Sequence, residues 1–174
     1  MHLRACGHGK HFDYAPVMKF FAASALAFTL SVASQAQAQE REWSLGTTEK
    51  QAFLVFGVPD TDDVGFSFWC DVGKSRVSAF LPDTVAKLRR GERLSVKIDV
   101  DGKGFNIPAR ANVDDGTGKM NVETSFGLKD LLMARLREAD NMAIAVKNHV
   151  SSFPLADADF DGFVDACNGV DAGN

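Results

Sequence analysis

The sequence predicts a mainly β protein, an antiparallel β-sandwich or small barrel with one amphipathic helix and a short C-terminal helix. Three observations carry this. Seven or eight short apolar or alternating runs recur after residue 38, turn residues separate them, and helical periodicity occurs in only two places.

The chain has 174 residues, 45% hydrophobic and 24% charged, which suits a globular protein of one domain. Its start reads differently. From Met18 a positive charge at Lys19 precedes an apolar stretch from Phe20 to Ala33, with small residues at Ala36 and Ala38. That is the pattern of a secretory signal peptide over residues 18–38, cut after Ala38. The apolar stretch is about 14 residues, too short for a hydrocarbon core of about 30 Å, and no charged stop-transfer flank follows. No transmembrane anchor is therefore expected once the signal is removed. Residues 1–17 contain His2, Cys6, His8 and His11, in a spacing that fits no regular zinc pattern. A signal peptide needs its charged end near the true N-terminus, so these residues read as translation upstream of an initiator at Met18. The mature domain is then 39–174.

Three of the 19 basic and one of the 23 acidic residues precede residue 39, leaving 16 against 22 and a formal charge of −6. An acidic domain lacks the basic footprint of a nucleic-acid partner, so none is expected. Only Cys70 and Cys167 remain in the mature part, and export leads to an oxidising compartment, so a single disulfide is expected. The absence of C-x-x-C argues against a thiol-exchange catalyst.

Trp43 to Thr47 and the apolar run from Gln51 to Val58 read as strands, the second ended by Pro59 and the turn residues Asp60 to Asp63. Gly65 to Cys70 puts Phe66, Phe68 and Cys70 on one face by the period of two. Arg76 to Leu81 continues as a strand, and Pro82-Asp83 opens a short helical or turn segment reaching Leu88. Leu94, Val96, Ile98 and Val100 alternate with polar residues, as in a half-buried antiparallel strand. Asp101 to Gly104 is a hairpin signal leading into Phe105 to Val113, and Asp114 to Gly118 marks a second turn before Met120 to Ser125. Leu128, Leu131, Leu132 and Leu136 predict an amphipathic helix of about three turns. Met142 to Val146 returns as a strand, and Phe153, Pro154 and Leu155 lead into the last element.

The segment Asp157 to Asp165 supports two readings. Asp157, Asp159 and Asp161 with Gly162 match the first half of a calcium loop, in which alternate carboxylates meet a hard cation. The twelfth position, however, is Asn168 rather than a bidentate Glu. In the other reading Phe160, Phe163, Val164 and Cys167 form one face of a helix, with acids in its first turn and Asn168-Gly169 as its stop. We take the helix first and keep calcium as the alternative. Gly116 to Lys119 lacks the rest of a phosphate loop and reads as a hairpin tip. Lys87, Arg89, Arg90 and Arg93 read as a solvated turn on which an acidic partner could dock. His149, the only histidine after residue 38, has no nucleophile in a recognisable context, so no active site is expected.

With Trp43 after the signal peptide, Cys70 ending an early strand in F-W-C and Cys167 near the C-terminus, the chain resembles the small exported β proteins of the invasion-associated locus B type and related secretion-accessory proteins. It departs from them in lacking a middle cysteine pair. The resemblance implies a periplasmic or secreted β-sandwich without catalytic residues that acts by binding. The expected function is thus a non-catalytic binding or accessory module of a bacterial envelope, with an envelope or secreted protein as partner. The alternative is a calcium- or small-ligand-binding domain that uses the acidic C-terminal segment.

Overall fold

Strict alternation of buried and exposed residues decides the architecture, because each strand then has one face to hide. The structure, a computed structural model, describes residues 40–82, 87–114 and 117–170. Among these lie nine strands: β1 Glu42–Thr47, β2 Gln51–Gly57, β3 Val64–Asp71, β4 Arg76–Leu81, β5 Arg93–Val100, β6 Lys103–Val113, β7 Met120–Gly127, β8 Asn141–Val146 and β9 His149–Pro154. Two helices accompany them, α1 Leu131–Leu136 and α2 Phe160–Cys167. The expected signal peptide at 18–38 and the upstream stretch 1–17 lie outside the described residues, as does most of the segment from Asp83 toward Leu88.

All nine strands join one antiparallel sheet in the order β1-β2-β3-β4-β7-β6-β5-β8-β9. The sheet curls as a half-barrel, so the expected mainly β antiparallel fold holds and takes the form of one curved layer. Its inner face carries Leu54, Phe66, Phe68, Val77, Val96, Ile98, Val122, Phe126, Met142 and Ile144, all buried. The β5–β6 connection is the two-residue turn Asp101-Gly102, with φ of 46° and 82°. Positive φ at both positions is what a type I′ hairpin turn requires, and Asp-Gly meets it at low cost.

Two features close the curl. Trp43 of β1 lies among Phe56, Phe66, Phe68 and Phe160, with ring centroids 5.3–6.4 Å away. Its Nε1–H donates to the carbonyl of Pro154 in β9, at 2.5 Å, so one edge strand holds the other through a side chain. The expected Cys70–Cys167 disulfide is the second feature. It joins β3 to α2 with the Cα atoms 5.9 Å apart, and both cysteines are fully buried. With the cysteines 97 positions apart in sequence, closing the loop contributes about 4–5 kcal/mol in the chain-entropy model.

The structure corrects two elements. The helix expected over three turns is α1, six residues long, and Leu131, placed on its apolar face, is 61% exposed while Met133 is buried. The helix begins late because the Asp130 carboxylate accepts the Gly127 N–H at 2.6 Å, holding Leu128 and Lys129 in a turn. The second correction is β9, a strand that the sequence reading left out. Its outward Val150 is 67% exposed while Ser151 is half-buried, so hydrophobic alternation is inverted and the strand does not announce itself.

If Trp43 joins the edges, Trp43→Phe keeps a ring but loses the donor and leaves a void. We expect a loss of about 2 kcal/mol in urea unfolding, with an unchanged denaturant slope.

Candidate functional site

The C-terminal aspartates are the first candidates from sequence, and the structure uses them to build α2. Asp159 is the N-cap, its carboxylate accepting the Gly162 N–H at 2.8 Å. A Cβ on Gly162 would stand 2.3 Å from that carboxylate, so glycine is what lets the cap close. Asp161 instead receives the Arg137 guanidinium at 2.6 Å, linking the end of α1 to the start of α2. Asp157 is exposed. Among the described residues no three His, Cys, Asp or Glu side chains converge as a group that could hold a metal ion. The segment takes the helical reading, with Phe160, Phe163 and Cys167 as its buried face.

A cleft of about 420 Å³ lies at one end of the half-barrel, where the β2–β3 and β8–β9 connections meet. His149, Ser151 and Ser152 of β9 line it beside Phe56 and Phe153. Arg41 and Asp63 close one side as an ion pair at 2.6 Å. The sequence reading weighed His149 alone. Ser151 and Ser152 came to no notice because β9 itself was not foreseen.

The outer face of the sheet holds the less expected arrangement. On β6, the N–H and C=O of Ala111 bond toward Glu92 and Gly91, on the β5 side. Backbone direction alternates along a strand, so Asn112, Arg110, Pro108, Asn106 and Gly104 present theirs toward β7. Pro108 has no N–H to give. The β6–β7 ladder runs only from Ala109 to Val113, and the Thr124 hydroxyl takes the Pro108 carbonyl at 2.7 Å. Below Pro108 the two strands part, leaving Asn106 and Gly104 without a partner strand on that side. The gap forms a cavity of about 510 Å³, walled by Phe105, Ile107, Phe126, Leu131 and Leu132.

Next to the gap lies a shallow groove of about 390 Å³ holding Arg93 and Arg110. Pro108 and Ser125 line both, so groove and cavity are neighbours. Arg93 of β5 stands directly opposite Arg110 of β6, both exposed and neither side chain with a hydrogen bond or ion pair among the described residues. Glu123 faces Arg110 from β7, but its carboxylate accepts from Asn112 at 3.1 Å. Arg76 adds a third guanidinium, bonded to Ser125. Of the basic stretch seen in sequence, Arg93 thus reaches this face, while Lys87 and Arg89 sit at a turn fastened by Glu92. Lys147, at the β8–β9 turn, bonds Glu92 and the Lys87 carbonyl, each at 2.8 Å, and the Arg89 N–H donates to Glu92 at 2.9 Å. The Lys147 hydrogen bond, with that backbone donor, holds the Glu92 carboxyl below the usual range.

No family model, no curated protein and no solved structure matches this chain. Among the described residues no helix is long and apolar enough to cross a membrane.

Asp159→Ala removes the cap of α2 and should cost about 1 kcal/mol in urea unfolding. Millimolar calcium should leave the melting temperature of both proteins unchanged. A rise in the parent that the variant lacks would restore the calcium loop. For Glu92, a folded pKa below the unfolded one contributes stability that is present above the ordinary carboxylate pKa, about 4.3, and is lost as pH falls through the lowered value. Glu92→Gln should therefore melt below the parent at pH 7, and the difference should shrink on acidification below about pH 4.

Proposed function

We propose that this protein is an exported, non-catalytic binding or accessory module of a bacterial envelope, periplasmic or secreted, that acts by docking on a protein partner. The Cys70–Cys167 disulfide fits an oxidising compartment, and the segment 18–38 has the pattern of an export signal. The likeness to exported proteins of the invasion-associated locus B type, carried by Trp43, Cys70 and Cys167, points the same way.

One observation carries the docking surface. Like charges directly opposite on neighbouring strands destabilise a sheet, yet Arg93 and Arg110 face each other on the outer surface of an otherwise acidic domain. Their cost is offset when an anionic surface lies across both. The alternative, a calcium- or small-ligand-binding domain using the C-terminal acids, has less support, because Asp159 caps α2 and Asp161 pairs with Arg137.

The test is in-cell crosslinking and affinity capture of the protein tagged after Asn174, beside an Arg93→Glu/Arg110→Glu variant, read by mass spectrometry. A protein enriched by the parent and lost from the variant is the expected result. Enrichment of nothing above an exported control would end the reading.

A further inference from the structure

The same outer face also says what kind of partner segment fits it, an inference that rests on the binding-module reading above. We infer that the partner presents an extended, acidic stretch of polypeptide carrying an apolar side chain. This stretch pairs with the β6 edge below Pro108 and lays its carboxylates across Arg93 and Arg110.

Three observations converge on this chemistry. The first is the open backbone edge. Asn106 directs its peptide group toward β7 at a level where the β6–β7 pairing has ended, into the gap that it lines. Such an edge accepts another extended chain by strand addition, where main-chain bonds supply affinity and alternate side chains supply selectivity. A small anion has no use for it. The second is the cavity beside that edge. Phe105, Ile107 and the exposed Leu131 line a space of about 510 Å³, roomy enough for a large apolar side chain and open to the same gap. The third is charge. Arg93 and Arg110 lie beyond Pro108 in a groove next to the cavity, two guanidinium groups against one carboxylate, Glu123, which stands opposite Arg110 and accepts from Asn112, so the groove keeps a net positive charge.

Spacing ties these together. From Asn106 to Arg110 is four residues, about 13 Å along an extended strand. Because β7 takes the β6 edge from Ala109 onward, a segment of five or six residues with its apolar side chain near Asn106 leaves the sheet plane at Pro108 and carries its acidic end over the outer face to the arginines. Arginine suits that role because its planar guanidinium meets a carboxylate through two hydrogen bonds.

The experiment uses fluorescein-labelled octapeptides titrated against the purified, disulfide-closed protein, with anisotropy as the readout. The probes alternate Asp with Leu, Lys with Leu, and Asp with Gly. The Asp–Leu peptide is expected to bind at least about tenfold more tightly than the Lys–Leu peptide, and more weakly as salt rises. Arg93→Gln/Arg110→Gln should weaken it by about tenfold while the melting temperature stays level or climbs, because a like-charge contact has been removed. Leu131→Ser, at an exposed position that should not unfold the protein, should abolish the advantage of Asp–Leu over Asp–Gly. Equal binding of the acidic and basic peptides, or indifference to the arginine variant, would overturn the inference. So would a preference for anionic lipid vesicles over the peptide, or self-association through this face in sedimentation. If those results came while crosslinking still captured an arginine-dependent partner, the binding-module reading would survive and only the segment's chemistry would fall.

Discussion

A single antiparallel sheet of nine strands must bring its own two ends together if its inner face is to be dry, and here that depends on Trp43. The indole fills the space between β1 and the aromatic rings of β2, β3 and α2, while its N–H reaches the Pro154 carbonyl on the far edge strand. Burying a ring of this kind stabilises by about 1.5–3 kcal/mol, and its N–H finds an acceptor at the rim of the seam, where Pro154 is exposed. Phe153 of β9 completes the joint by meeting Phe56 and Phe66 at 5.7 and 5.1 Å. The curl is thus held by side chains across a seam with no backbone ladder.

The disulfide acts on the same joint from the other direction. Cys70 faces inward because it shares the period-two face of Phe66 and Phe68, and Cys167 faces it because it shares the helical face of Phe160 and Phe163. The bridge fixes α2 over the rings around Trp43, and the Gly73 N–H bonds the Cys167 carbonyl at 2.8 Å beside it. Asp159 and Arg137 then set how α2 begins. Of the acids that resemble part of a calcium loop, Asp159 is explained by capping, since a helix over an aromatic interior needs its first N–H groups satisfied, and Asp161 by its pairing with Arg137.

Most of the fold was legible because period-two alternation survives wherever a strand hides one face. Residues 94–100 are the clearest instance, their apolar positions being the inward ones throughout the middle of β5. The reading failed where solvent and packing reverse the pattern. β9 turns Val150 outward and Ser151 inward because it edges a polar cleft, and α1 is shorter than its leucines suggest because Asp130 holds the Gly127 N–H. The candidate site was less legible for a different reason. Arg93 was noticed as part of a basic stretch, but Arg110 stands 17 positions further on and only strand register brings the two together. Pro108 within an apolar alternation was a signal for a broken ladder, since a proline inside a strand removes a donor toward one neighbour.

Three local features of this face work against stability, and they lie side by side. The opposed arginines repel, and the parted strands leave peptide groups unpaired beside exposed Leu131. A sequence selected for stability alone would place a threonine or a glutamate at one arginine and a β-branched residue with an N–H at Pro108. Each departure taken alone has a bland explanation, because surface arginines are common and prolines do occur at breaks. Their adjacency is the stronger argument, since local rules are broken where a compensating interaction forms. A partner that supplies carboxylates, backbone groups and an apolar side chain together would satisfy all three deficits at once, and no smaller ligand would.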